Sequence, residues 1–132
     1  MPHTDTIPVS ASIASTGPGI RYIGDYAYAY SGVIASATSS VETLLSFTSG
    51  SGFIVGEIAF TETERAAEAV RFNVEFNDIE IITVEYDHSP PQDNPAPYPI
   101  LIPPFTKVVA TWRTGGSANG TGWIVGRVYG AE

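Results

Sequence analysis

Eight separate stretches between Asp25 and the C-terminus read as strands, and no convincing helix lies between them. Successive side chains of a strand point to opposite faces, so alternation with a period of two marks a half-buried strand. The clearest case is Val70 to Phe76, with Val70, Phe72, Val74 and Phe76 on one face and Arg71, Asn73 and Glu75 on the other. Tyr26, Tyr28 and Tyr30 alternate with Ala27, Ala29 and Ser31, and Gly32 permits a bulge before Val33 and Ile34 continue. The other stretches are 40–48, with Val41, Leu45 and Phe47 facing one way, then 52–60, 79–86, 98–102, 106–113 and 123–129. Asn77-Asp78 tolerate left-handed backbone and predict a tight hairpin between the fourth and fifth stretches. Ser49-Gly50-Ser51-Gly52 predicts another, joining 40–48 to 52–60.

The connections are equally telling. Residues 87–104 hold seven of the ten prolines, so they exclude a helix or a central strand and leave room only for a short edge strand at Tyr98 to Ile102. The stretch 115–122, GGSANGTG, reads as a flexible loop, and 61–69, TETERAAEA, as a loop with at most one helical turn. The expected fold is an all-β antiparallel β-sandwich of about eight strands, jelly-roll or Greek-key. A seven-stranded immunoglobulin-like sandwich is the runner-up. The domain would run from 25 to 132, with a proline-rich loop at 87–104. It would follow an extended N-terminal arm, 1–24, whose Pro2, Pro8 and Pro18 spoil regular pairing. That arm is either a frayed terminus or a segment anchored on a neighbouring subunit by Ile7, Val9, Ile13 and Ile20.

A chain of 132 residues fits one domain. Only 15% of residues are charged while 43% are hydrophobic, against about 25% charged in ordinary soluble domains. Interface cores are depleted of charge, so this balance points to a surface partly buried in an assembly. The net charge is −8, and the six basic residues, Arg21, Arg65, Arg71, Lys107, Arg113 and Arg127, are scattered. Binding to nucleic acid needs clustered cations to replace phosphate counterions, so neither nucleic acid nor an anionic membrane surface is an expected partner. The N-terminus lacks the basic start and apolar stretch of a signal peptide. Without cysteine, disulfides, thiolate catalysis and cysteine metal sites are excluded.

Residues with catalytic chemistry are few. His88 beside Asp87 and near Asp93 could bind a divalent metal or act as a base, but the spacing matches no ligand pattern and a solvated loop is the plainer reading. His3 lies in the arm. Glu75, Glu80 and Glu85 could supply paired carboxylates, with Glu75 and Glu80 close across the hairpin; the plainer reading is the polar side of half-exposed strands. No nucleophile elbow and no phosphate-binding loop is present. The expectation is no catalytic residue, no cofactor and no metal. Tyr26, Tyr28, Tyr30, Tyr98, Trp112 and Trp123 could stack on sugars. Core packing is the plainer role for both tryptophans, while the tyrosine ladder fits an interface equally well.

The stretches SGSGFIVGEIAF, FNDIEIITVEYD, YPILIPPFTKVVATW and WIVGRVYG resemble small virion proteins of tailed bacteriophages, in particular jelly-roll capsid decoration (cement) proteins. The likeness covers roughly residues 26 to 130 and lies in general character, with Ser/Thr/Gly-rich strands, an IPPFT step into a late strand and a closing GRVYG. It implies a non-enzymatic homotrimer on the capsid exterior that ties major capsid protein subunits together. The contacts expected from that reading are Ile7, Val9, Ile13 and Ile20 in the arm and Pro91, Pro95, Pro97 and Tyr98 in the proline loop. Two other classes stay open: a carbohydrate- or receptor-binding head of a fibre or spike, and a small β-sandwich enzyme acting on glycans.

Overall fold

The computed structural model describes residues 19–37, 40–62, 70–86 and 97–130. Its strands are β1 (Arg21–Ile23), β2 (Tyr26–Tyr30), β3 (Ile34–Ala37), β4 (Glu42–Thr48), β5 (Phe53–Glu62), β6 (Val70–Phe76), β7 (Ile79–Tyr86), β8 (Tyr98–Ile102), β9 (Lys107–Thr114) and β10 (Ser117–Tyr129). All the pairings are antiparallel. One sheet has the order β1-β2-β10-β5-β8, with β3 also paired to β10, and the other has the order β4-β9-β6-β7. One core joins them: Ile54, Ile58 and Ile124 of the first sheet pack with Leu45, Phe47 and Trp112 of the second. Phe60 stacks on Phe72 across the gap at 4.7 Å, and Phe72 stacks on Trp112 at 5.8 Å. The fold is therefore all-β and sandwich-like.

Each of the eight expected stretches holds a strand, and ten strands are described because the chain pairs in two further places. β1 pairs with β2 inside what reads as the arm, so the domain begins before Asp25. Ile20, expected as an arm anchor, is fully buried in the core. The tyrosine stretch breaks at Ser31–Val33, where Gly32 has a φ of 72°. Beyond the break, β3 continues along the same partner, β10.

Two connections depart from expectation. β4 and β5 are not a hairpin, because they belong to different sheets. Ser49 and Gly50 instead cross between the sheets alongside the 103–106 turn, which crosses back. The Ser49 N–H donates to the Thr106 carbonyl at 2.9 Å, its hydroxyl donates to the Pro103 carbonyl at 2.7 Å, and the Phe105 N–H donates to the Gly50 carbonyl at 2.9 Å. Nor is 115–122 a flexible loop: most of it lies within β10, paired with β3 and β5. Its glycines make room. A Cβ on Gly120 would lie 2.7 Å from the buried indole of Trp112. Thr61 and Glu62 likewise extend β5, and 63–69 lie outside the described residues.

The β6–β7 hairpin forms as expected, with Asn77 and Asp78 both at positive φ, 51° and 69°. A register shift in β4 between Thr43 and Leu45 turns both Leu44 and Leu45 into the core. Val41, expected to face inward with Leu45, is 61% exposed as a result.

Tyr22 ties β1 to the crossing segment: its phenol oxygen accepts the Gly50 N–H at 3.0 Å. Burial raises its pKa above the usual 10.0, against a smaller pull downward from the Gly50 hydrogen bond. Below pH 10 the phenol is neutral in both folded and unfolded chains. As pH climbs from there to the raised value, the unfolded chain ionises first, so stability falls across that window and levels off above it. Denaturant titrations at successive pH values should show a steeper alkaline loss in the wild type than in Tyr22→Phe. Parallel curves would remove this assignment.

Candidate functional site

Alternation fixes what the six-stranded sheet shows to solvent. Ala27 and Ala29 of β2 are buried against the core, so the tyrosines between them point outward. The registers then assemble rows across the sheet. Ile23, Tyr26, Arg127, Val55 and Leu101 stand side by side on five successive strands. The next row is Arg21, Tyr28, Val125, Glu57 and Pro99. Tyr30, Trp123 and Ala59 form a third, and Phe53 pairs with Tyr129 beyond the first. Tyr26 is 54% exposed, Tyr30 56% and Ile23 67%.

Eight of the thirteen large apolar side chains exposed among the described residues lie on this one face: Ile23, Tyr26, Tyr30, Phe53, Val55, Leu101, Val125 and Tyr129. Given the 150–250 Å² carried by an aromatic side chain, and somewhat less by an aliphatic one, eight such groups half-exposed present on the order of 800 Å². The largest apolar patch of an ordinary monomer is about 300–600 Å². One partner's share of a standard protein–protein interface is about 800 Å². The charges on the face are few. The Arg127 guanidinium sits 5.6 Å from the Tyr26 ring centre and 5.9 Å from that of Tyr129, and 3.9 Å from the Asp25 carboxylate. An arginine spread over aromatic rings in this way keeps its charge while adding apolar contact area. The outer side of the four-stranded sheet is different in kind, with Ser46, Arg71, Asn73, Glu75, Thr83, Glu85, Thr111 and Arg113.

A second apolar feature stands apart. Phe105, in the crossing turn after β8, has a φ of 52° and is 70% exposed. A bulky residue at positive φ is a backbone outlier, and such strain collects at functional sites. Phe105→Gly should therefore stabilise the fold by about 1 kcal/mol, since glycine takes this conformation without a Cβ clash. Calorimetry checks the sign, and a destabilised variant would show that the ring is held by packing.

The residues expected from the sequence scatter. Glu75 and Glu80 are direct cross-strand partners, as expected, on the outer side of the hairpin. Glu80 is exposed and accepts hydrogen bonds from the Thr83 hydroxyl and the Asn73 amide, and Glu85 pairs with Arg71 at 3.8 Å. Among the described residues no group of three His, Asp or Glu could hold a metal. His3, His88, Asp87, Asp93, Ile7, Val9, Ile13, Pro91 and Pro95 lie outside the described residues. Pro97 is exposed just before β8, and Tyr98 is half-buried against the core at the edge of the sheet. Trp112 is a core residue, but Trp123, also expected inside, belongs to the outer face.

Most of the face lies beyond the residues that the sequence singles out: Ile23, Phe53, Val55, Leu101, Val125 and Tyr129. A signal for it exists in GFIVGEIAF, YPILI and WIVGRVYG, which are apolar on both parities, whereas a strand with one wet side needs polar residues on one of them. No family model, no curated protein and no solved structure matches the chain.

Proposed function

We propose that this is a structural protein that works by docking another protein on the outer face of its six-stranded sheet. In its specific form the proposal is a capsid decoration (cement) protein of a tailed bacteriophage, a homotrimer on the virion exterior that ties major capsid protein subunits together. The observation that carries the docking role is the largely apolar face running through Tyr26, Val55, Leu101 and Val125, which is interface-sized and whose charges are Arg21, Glu57 and Arg127. Burying such a face needs no turnover and no reacting group. The decoration role rests on the general likeness of the strand sequences. It is supported by the interleaving of the strands, with β2, β10, β5 and β8 in one sheet and β4, β9, β6 and β7 in the other. That is the order two Greek keys give a jelly roll, with β1 and β3 as additions. Three copies acting together would also multiply modest contacts into firm attachment.

The outward tyrosines and Trp123 favour one competing reading, a carbohydrate platform. The aliphatic half of the face argues for protein instead, because Ile23, Val55, Leu101 and Val125 offer nothing to sugar hydroxyls. Light scattering and co-sedimentation with capsid shells of the parent virion, run on the wild type and on Val125→Lys, test the proposal. A wild-type trimer that coats shells, with coating lost in the variant, is the expected result. Binding on a glycan array with no affinity for shells would sink it.

A further inference from the structure

The outer side of the four-stranded sheet carries a separate feature. The antiparallel register sets Arg71 of β6 directly opposite Arg113 of β9. Both are half-exposed on the same side, and with Val41, Asn73 and Thr111 they line a hollow of about 110 Å³. Directly opposed cross-strand residues have Cβ atoms about 4.5–5.5 Å apart, and like charges placed so are destabilising. Among the described residues one carboxylate serves the pair: Glu85 lies 3.8 Å from the Nε of Arg71. Arg113 makes no ion pair among the described residues. At the same place, Arg71 Nε and the Asn73 Oδ1 are buried without a hydrogen-bond partner. In a chain of net charge −8 with six basic residues, two adjacent arginines are a concentrated exception.

We propose that this hollow is a carboxylate-binding site. A guanidinium is a planar fork that matches a carboxylate with two parallel hydrogen bonds, and two of them converging on one anion relieve their mutual repulsion. The hollow holds a small group, since about 10–15 Å³ of such space admits one water. That size suits the carboxylate of a Glu or Asp side chain, or a free small acid. The site lies on the sheet opposite the aromatic face and does not depend on the docking proposed for that face.

The test uses the full chain and two probes, sodium acetate and the capped peptide acetyl-Gly-Glu-Gly-amide. Each is titrated against sodium chloride at equal ionic strength. The arginine side-chain resonances of Arg71 and Arg113 should shift saturably with both probes and not with chloride, and thermal stability should rise by a few degrees as the site fills. Arg113→Gln should abolish the saturable shift, weaken probe binding at least tenfold, and melt no lower than the wild type in chloride because the repulsion is gone. Arg113→Lys should keep the repulsion but lose the fork, and so bind more weakly than the wild type. Peptide binding tighter than acetate would point to a protein side chain as the source, and equal binding to a free acid. Shifts linear in acetate and matched by chloride, or an Arg113→Gln variant that responds like the wild type, would overturn the proposal.

Discussion

Alanine at Gly56 should destabilise the protein by about 3 kcal/mol, the upper end for one added carbon in a packed interior. β5 and β10 pair over ten residues, from Gly120–Glu62 to Tyr129–Phe53, and Gly56 lies opposite Gly126 within that ladder. A Cβ built on Gly56 would sit 2.0 Å from the Val125 carbonyl oxygen and 2.4 Å from the Gly126 Cα. Both obstacles are backbone, so no side chain can swing aside to admit the methyl group. The strands must part at the centre of the sheet, and with them the core contacts of Ile54, Ile58 and Ile124. Urea unfolding should give a lower midpoint at unchanged slope, and the melting temperature should drop by roughly 10 °C. Gly50→Ala is the matched control, because its Cβ would meet the Tyr22 hydroxyl at an ordinary 3.4 Å. If Gly56→Ala melts with the control, the close approach of β5 and β10 is wrong.

Gly56 also shows what is readable in the sequence and what is not. Local alternation locates eight strands, because a period of two depends only on which side of each segment faces the core. The Asn77-Asp78 hairpin is legible for the same local reason: two residues that accept positive φ stand between two alternating runs. Strand partners beyond that hairpin are not legible. Ser49 and Gly50 look like hairpin residues, but Ser49 and the Gly50 carbonyl bond to residues 103–106, more than fifty positions away, and the Gly50 N–H to Tyr22. Glycine is the most misleading residue. In GGSANGTG it suggests a loop, whereas Gly120 is small because the Trp112 indole occupies the place of its side chain. That pairing is a property of two strands brought together by the fold. The site is half legible. Tyr26, Tyr28 and Tyr30 read as a ladder suited to an interface, but its extension through Val55, Leu101, Val125 and Tyr129 requires the strand order. Trp123 reads as inward because its neighbours are apolar, and it points outward because Ile124 takes the core position.

Val125→Lys should leave the fold intact and weaken partner binding at least 100-fold, about 2.8 kcal/mol by the relation of tenfold to 1.4 kcal/mol. Val125 lies inside the aromatic face, between Tyr28 on β2 and Glu57 on β5. Lysine is chosen because Glu57 stands directly opposite, and an opposite-charge cross-strand pair supports the strand pairing. Folded stability should therefore stay within about 1 kcal/mol of the wild type. Docking is another matter. A partner that covers this face must strip water from the new ammonium group and from Glu57, and the low-dielectric contact does not repay that desolvation. Binding energy in protein interfaces concentrates in a few central, fully desolvated residues, so a change here acts where the effect is greatest. Ile79→Lys is the control: Ile79 is as exposed as any residue on the face, but it lies at the β6–β7 turn of the other sheet. Co-sedimentation with shells and light scattering should place Ile79→Lys with the wild type and Val125→Lys apart from both. If both lysine variants bind as the wild type does, the aromatic face is not the docking surface; if both fail equally, surface charge in general and not this face governs attachment.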